Sequence, residues 1–142
     1  MQCEYENGEL AIDGVALDAI AARFGTPCFV YSRAGIEARF RAYREAFGAR
    51  AHRVCYAVKA NDNLSIVRVL QRLGAGFDIV SGGELERVLA AGAAAADVVF
   101  SGVGKSAAEI AQAIAAGVGC LNVESAAELA RIAAAAAQAN RP

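Results

Sequence analysis

Three times in the second half of the chain a short apolar run leads into the same four-residue signal: Ser81-Gly-Gly-Glu84, Ser106-Ala-Ala-Glu109 and Ser125-Ala-Ala-Glu128. In S-x-x-E the serine hydroxyl accepts from the backbone N–H three residues on, and the glutamate reaches back to the serine's own N–H. Two donors left over at a helix start are satisfied in this way. The runs in front are "FDIV" (77–80), "VVF" (98–100) and "CLNV" (120–123), and an earlier one, "RVCYAV", occupies 53–58. Behind the signals apolar residues fall at helical spacing, as Leu85, Val88 and Leu89 or Ile110 and Ile114 do. The earliest unit replaces the box with an Asn61-Asp62-Asn63 cap and sets Ile66, Val67, Leu70 and Leu73 on one face. Strands with little polar alternation, separated by helices, specify a parallel sheet covered by helices. The chain is therefore expected to be α/β, with consecutive parallel βα units from residue 53 onward.

The segment before residue 53 does not share this period. An Asn7-Gly8 turn signal lies between two short runs in "CEYENGELAID", "ALDAIAARFG" reads as a short helix ended by glycine, and "PCFVYS" (27–32) reads as a strand. A longer helix follows, with Ile36, Phe40, Tyr43 and Phe47 on one face and Ser32 as its cap. The alanine tracts at 93–96 and 133–137 are helix or loop filler. Four βα units fit either of two architectures. A closed (β/α)8 barrel needs about 250 residues, whereas an open doubly wound sheet can finish near this length.

Composition excludes several functions. A chain of 142 residues that is 56% hydrophobic can bury the core of one domain, and a net charge of −1 offers nothing to a nucleic acid or an acidic membrane. The opening "MQCEYENGEL" carries acids where a signal peptide has a positive start, and no apolar run has the length of a membrane span, so a cytoplasmic location is expected. Cys3, Cys28, Cys55 and Cys120 are widely spaced and are expected to be reduced, small core residues. His52 is the only histidine, which leaves no material for a histidine metal cluster or a Ser-His-Asp triad; no metal site is expected.

The candidate chemistry sits where the first strand stops. In both architectures the carboxyl ends of parallel strands form the functional face, and Lys59 follows "VCYAV" there. Alternation puts Cys55, Ala57 and Lys59 on one side, and the small Ala57 leaves room for a flat ligand. Lys59 has two readings on this basis: a side chain extending into water from a strand end, or an amine presented to a ligand. Asp78 interrupts an otherwise apolar strand and needs a partner, either Lys59 on the same inner face or a nearby amide or hydroxyl. Asn122 is expected near the same end. "SGVGKS" (101–106) admits a phosphate-loop reading but has Val99 where that pattern wants glycine, and a tight turn at Gly102 and Gly104 is the alternative. Gly82 and Gly83 likewise serve a turn or a close approach to a ligand.

"YAVKAN", "GAGFDIVSGGELERVLAAG", "VVFSGVGKSAAEI" and "NVESAAEL", in this order over nearly the whole chain, resemble the diaminopimelate decarboxylase family. That family has the alanine-racemase-like fold of pyridoxal-phosphate enzymes. The resemblance implies the amino-terminal half of a (β/α)8 barrel over residues 32–142, preceded by a segment, 1–31, that joins a later β-rich domain. It implies pyridoxal 5'-phosphate as cofactor, with Lys59 as the catalytic amine that condenses with it, and Asp78 and Ala57 in the cofactor's surroundings. Glu84 and Ser81 are expected in support. The implied reaction is decarboxylation of meso-2,6-diaminopimelate to L-lysine, in a homodimer, with a small amino acid as substrate and no nucleic acid or membrane partner. The family's glycine-rich phosphate loop, the glutamate facing the pyridine nitrogen and the catalytic cysteine match nothing here, so the chain is expected to be an amino-terminal piece, inactive alone. Other decarboxylases or racemases of this fold, or a non-catalytic α/β binding module, are the alternatives.

Overall fold

The computed structural model describes residues 3–6 and 8–141. The chain divides into two compact units between Gly48 and Ala49.

The first unit opens with three antiparallel strands, β1 (Cys3–Glu6), β2 (Glu9–Ile12) and β3 (Val15–Ala16), with Ala11 and Ile12 buried. Gly8 forms the expected turn at φ +85°, while Asn7 lies outside the described residues. The helix α1 (Leu17–Phe24) ends at Gly25 as expected. The helix α2 (Arg33–Phe47) is capped by Ser32, whose Oγ accepts from Gly35 N–H at 2.8 Å. That hydroxyl donates to Asp13 Oδ1 at 2.6 Å, and Asp13 Oδ2 accepts from Ala34 N–H at 3.1 Å, so the β2–β3 turn holds the start of α2. Of the expected apolar face of α2 only Phe40 is buried; Tyr43 and Phe47 are exposed. "PCFVYS" is not a strand: residues 27–31 form no ladder, and Ser32 belongs to the helix cap. A run of β-forming residues becomes a strand only when its N–H and C=O groups find a neighbouring strand, and among the described residues this run has none.

The second unit is a four-stranded parallel sheet in the order β4 (Cys55–Ala57), β5 (Gly76–Ile79), β6 (Val98–Phe100), β7 (Cys120–Leu121). Sheet order equals chain order. A doubly wound sheet reverses direction at a switch point; these units advance one by one, as in a (β/α) barrel. The connecting helices are α3 (Leu64–Arg72), α4 (Gly82–Ala90) and α5 (Ala107–Ala116), and α6 (Ala126–Gln138) follows β7. Each helix lies beside the next. Phe77, Ile79, Val98 and Phe100 on the strands and Val67, Leu70, Leu85, Val88, Ile110 and Ala113 on the helices are buried. Full burial of such a side chain contributes about 1.5–3 kcal/mol.

In this second unit a side-chain cap marks every helix start, but only Ser106–Glu109 closes the full box. Ser81 and Ser125 accept from Glu84 and Glu128 N–H at 3.2 and 3.1 Å, while the two carboxylates reach past them to Val80 and Glu124 N–H at 2.6 and 2.7 Å. Ser106 has φ −72°, whereas Ser81 and Ser125 are extended at −153° and −158°. Extension turns the serine's own N–H away and presents the one before it. The first βα unit uses Asn63, whose side chain accepts from Ser65 N–H at 2.9 Å.

The cysteines are free, as expected, but they are not core residues. Cys3, Cys28 and Cys120 are exposed and Cys55 is half-buried. Strand register aligns Ala57, Asp78, Val99 and Cys120 across the sheet, and Cys55 lies two residues before Ala57 on that face. The helices cover the opposite face, so the sulfurs lie outside the buried layer.

Candidate active site

The face of the sheet turned away from α3–α6 carries the candidate site. Ala57, the last residue of β4, forms a row with Asp78 and Val99, each of which is one residue short of its strand's carboxyl end. Ser101 N–H donates to Ile79 O at 2.8 Å and Asn122 N–H to Phe100 O at 2.9 Å, which extends both ladders one step past the strands. Both side chains return to the row. Ser101 Oγ donates to Asp78 Oδ1 at 2.5 Å, Asn122 Nδ2 donates to Ser101 Oγ at 3.0 Å, and Cys120 Sγ stands 3.6 Å from Asn122 Oδ1. Asp78 thus finds a hydroxyl as its partner, the second of the two readings its sequence position allowed.

Lys59 is not part of the strand. The ladder ends at Ala57 and the chain enters a single 3-10 turn, Val58–Ala60, with Val58 buried and Lys59 exposed. The alternation that placed Lys59 on the side of Cys55 and Ala57 therefore stops at Ala57. Asn61 N–H donates to Val58 O and Tyr56 Oη donates to Asn61 O, each at 3.1 Å, which fixes the turn. The turn lies against β5. Among the described residues no hydrogen bond or ion pair engages the Lys59 amine.

The chain has only one other lysine. Lys105 is buried, donates to Gly102 O at 2.5 Å and pairs with Glu128 Oε1 at 3.0 Å. "SGVGKS" is therefore a tight turn built on Gly102 at φ +95°, with its lysine facing inward, and not a phosphate cradle. In "SGGE" the two glycines begin α4, and Gly82 N–H is taken by Glu109 Oε1 at 2.9 Å. A Cβ on Gly82 would meet the Gln112 amide oxygen, so this glycine serves helix packing. Ser81 and Glu84 both cap α4, and among the described residues no hydrogen bond joins either to Asp78 or Lys59. Glu109, which accepts from Gly82 N–H and from Ser106 N–H and Oγ–H, is held below the usual carboxylate range by those bonds.

Ser101 was not singled out by its sequence position. A signal existed: it lies two residues after Val99 and so continues the inner face. The Lys105–Glu128 pairing had no local signal, because it depends on how two βα units pack.

A sheet face with a small residue and a hydrogen-bonded carboxylate, and an uncommitted primary amine in the turn that follows that small residue, fits a flat aldehyde-bearing cofactor. The chain belongs to the pyridoxal-dependent decarboxylases: the family model of their pyridoxal binding domain matches residues 33–141. More particularly, it is 61% identical over 125 residues to the diaminopimelate decarboxylase of Pseudomonas fluorescens, a match covering 88% of this chain and 30% of the relative. The solved diaminopimelate decarboxylase of M. jannaschii in co-complex with L-lysine superposes with a TM-score of 0.93 at 36% identity, over 98% of this chain and 33% of that one. The Helicobacter pylori diaminopimelate decarboxylase complexed with L-lysine gives 0.84 at 44% identity, over 87% of this chain and 32% of that one. The chain thus spans about a third of the length of the relatives it matches.

Proposed function

We propose that this chain is the cofactor-binding part of a pyridoxal-phosphate-dependent decarboxylase that converts meso-2,6-diaminopimelate to L-lysine and CO2. The observation that carries the reading is the contrast between its two lysines: Lys105 is sealed in an ion pair, while Lys59 stands exposed and unengaged in the turn that follows Ala57 and lies against β5. Pyridoxal phosphate, when bound, supplies an aldehyde for an amine and a ring that accepts the electron pair left by departing CO2. Lys59 provides the amine at a turn whose backbone is fixed on both sides. Ala57 keeps the wall beside it low. Asp78, oriented by Ser101, offers a fixed carboxylate to a positively charged or hydrogen-bearing group of the cofactor. The names of the relatives, two of them solved with L-lysine, support diaminopimelate as substrate. The proposal includes a homodimer in the cytoplasm, and residues 1–31 as the segment that joins a further β-rich domain, with the barrel part at 32–142.

The test is to equilibrate the chain with pyridoxal phosphate, reduce with borohydride and map the modified peptide. Label on Lys59 and none on Lys105 is expected; label on Lys105, or equal uptake by Lys59→Ala, overturns the assignment. For the reaction, CO2 release from meso-diaminopimelate is measured with this chain continued by the remaining length of the P. fluorescens relative. Activity that survives Lys59→Ala would refute the proposal.

A further inference from the structure

Lys105 and Glu128 are two charged side chains for which the proposed chemistry has no use, yet their side chains are only 0% and 3% exposed. Their ends meet at 3.0 Å. Lys105 Nζ also donates to Gly102 O at 2.5 Å and lies 5.9 Å from the centre of the Phe100 ring. Glu128 Oε2 accepts from Glu124 N–H at 2.7 Å. Each member is therefore anchored to the backbone of a different loop. Gly102 directly follows Ser101, and Glu124 lies two residues past Asn122. These are the loops that leave β6 and β7, and their first side chains are joined at 3.0 Å where Ser101 turns towards Asp78.

Stability is a poor explanation for such a pair. Removing two charges from water costs about as much as their attraction returns, and well-packed apolar residues commonly serve as well or better. A charge-assisted, hydrogen-bonded pair does supply fixed distance and direction. Apolar contacts tolerate sliding; this pair binds two specified backbone groups.

We propose that Lys105 and Glu128 are a positioning pair: they hold the loops after β6 and β7 at a set separation, so that Asn122 keeps its amide on Ser101 and Ser101 keeps its hydroxyl on Asp78. The consequence for cofactor binding rests on the reading of the Lys59–Asp78 face as the cofactor site.

The experiment compares the full chain with Lys105→Met/Glu128→Gln, in which both charges are gone and an acceptor for Glu124 N–H remains. Three quantities are read: the thermal midpoint, the exchange rate of the Asn122 side-chain amide protons well below that midpoint, and the pyridoxal phosphate concentration that half-saturates borohydride-trapped Lys59. A midpoint within a few degrees of the parent, at least tenfold faster Asn122 exchange and a severalfold higher half-saturation are expected. Glu128→Gln alone gives the same comparison should the double variant not fold. Unchanged Asn122 exchange in a folded variant, whether or not the midpoint has dropped, shows a purely structural pair and overturns the inference. Failure of the parent chain itself to take the cofactor at Lys59 would overturn the functional reading instead, and the Asn122 measurement would still decide the role of the pair.

Discussion

Ser101 Oγ donates a 2.5 Å hydrogen bond to Asp78 Oδ1, linking neighbouring strands on the face of the sheet turned away from α3–α6. The direction of this bond is fixed from the other side: the Asn122 Nδ2 group is a donor only, so the Ser101 oxygen accepts from it and the serine hydrogen goes to Asp78. One small side chain thereby orders two polar neighbours.

Ser101→Ala should leave the Asp78 oxygen and the Asn122 amide short of a partner. Ser101 and Asp78 are half-buried and Asn122 is exposed, so a loss of about 1 kcal/mol is expected, together with weaker pyridoxal phosphate capture at Lys59. Ser101→Thr retains the hydroxyl and should stay nearer the parent. Urea unfolding and borohydride trapping measure the two effects; equal losses in both variants would contradict the account.

Two glycines should respond differently to alanine. At Gly119 the added Cβ would overlap the backbone oxygen of Ala96, which cannot rotate away, so Gly119→Ala is expected to cost about 2–3 kcal/mol. At Gly82 the obstacle is the end of the flexible Gln112 side chain, and Gly82→Ala should cost less than about 1 kcal/mol. The reverse order in chemical denaturation would show that the neighbours have been misjudged.

Acid should destabilise the fold through identifiable carboxylates. Glu109 is held low first by Gly82 N–H and then by Ser106, Glu128 first by Glu124 N–H and then by Lys105, and Asp13 first by the Ser32 hydroxyl and then by Ala34 N–H. Unfolding returns each to its ordinary value, 4.5 for the glutamates and 3.8 for the aspartate. The unfolded chain then binds more protons, so the contribution is complete above that range and is lost as pH falls through the lowered values. Urea midpoints should hold from pH 7 to about 5 and fall towards pH 3, less steeply in Glu109→Gln. A midpoint that rises on acidification would contradict this.

Thiol reactivity should divide the cysteines three to one. Cys3, Cys28 and Cys120 are exposed, whereas Cys55 is half-buried and burial pushes its thiol up, against a smaller opposing effect of Arg53. The thiolate is the reacting form. A chromogenic disulfide at pH 8 should therefore titrate three thiols quickly and Cys55 slowly, with all four equal in urea. A fast Cys55 in the native chain would sink the prediction.

The βα period was legible because its signals are local: a cap, an apolar face and a short run each lie within one unit. Lys59 was legible as the residue at a strand's end, and Asp78 as a polar interruption in need of a partner. What escaped depended on relations between segments. Ser101 emerges as that partner only once β5 and β6 are placed in register, and Lys105 as a buried residue only once α6 brings Glu128 to it. The reach of Glu84 and Glu128 past their serines depends on backbone angles that the S-x-x-E pattern does not encode. Residues 27–32 have the composition of a strand without a ladder to join, and the cysteines were placed in the core because most of them lie in or beside apolar runs, which do not say which face of a strand the helices cover.

Nearly all the basic side chains of this chain are arginine, and one of its two lysines is walled off by Glu128. An aldehyde reacts indiscriminately with primary amines, whereas a guanidinium keeps its proton and does not compete. Positive charge is thus supplied almost wholly in a form blind to the reagent that the proposed chemistry employs. A protein that lives beside a free aldehyde is at risk of being slowly tanned by it; here a single ε-amine is left open, and stray adducts have almost nowhere else to form.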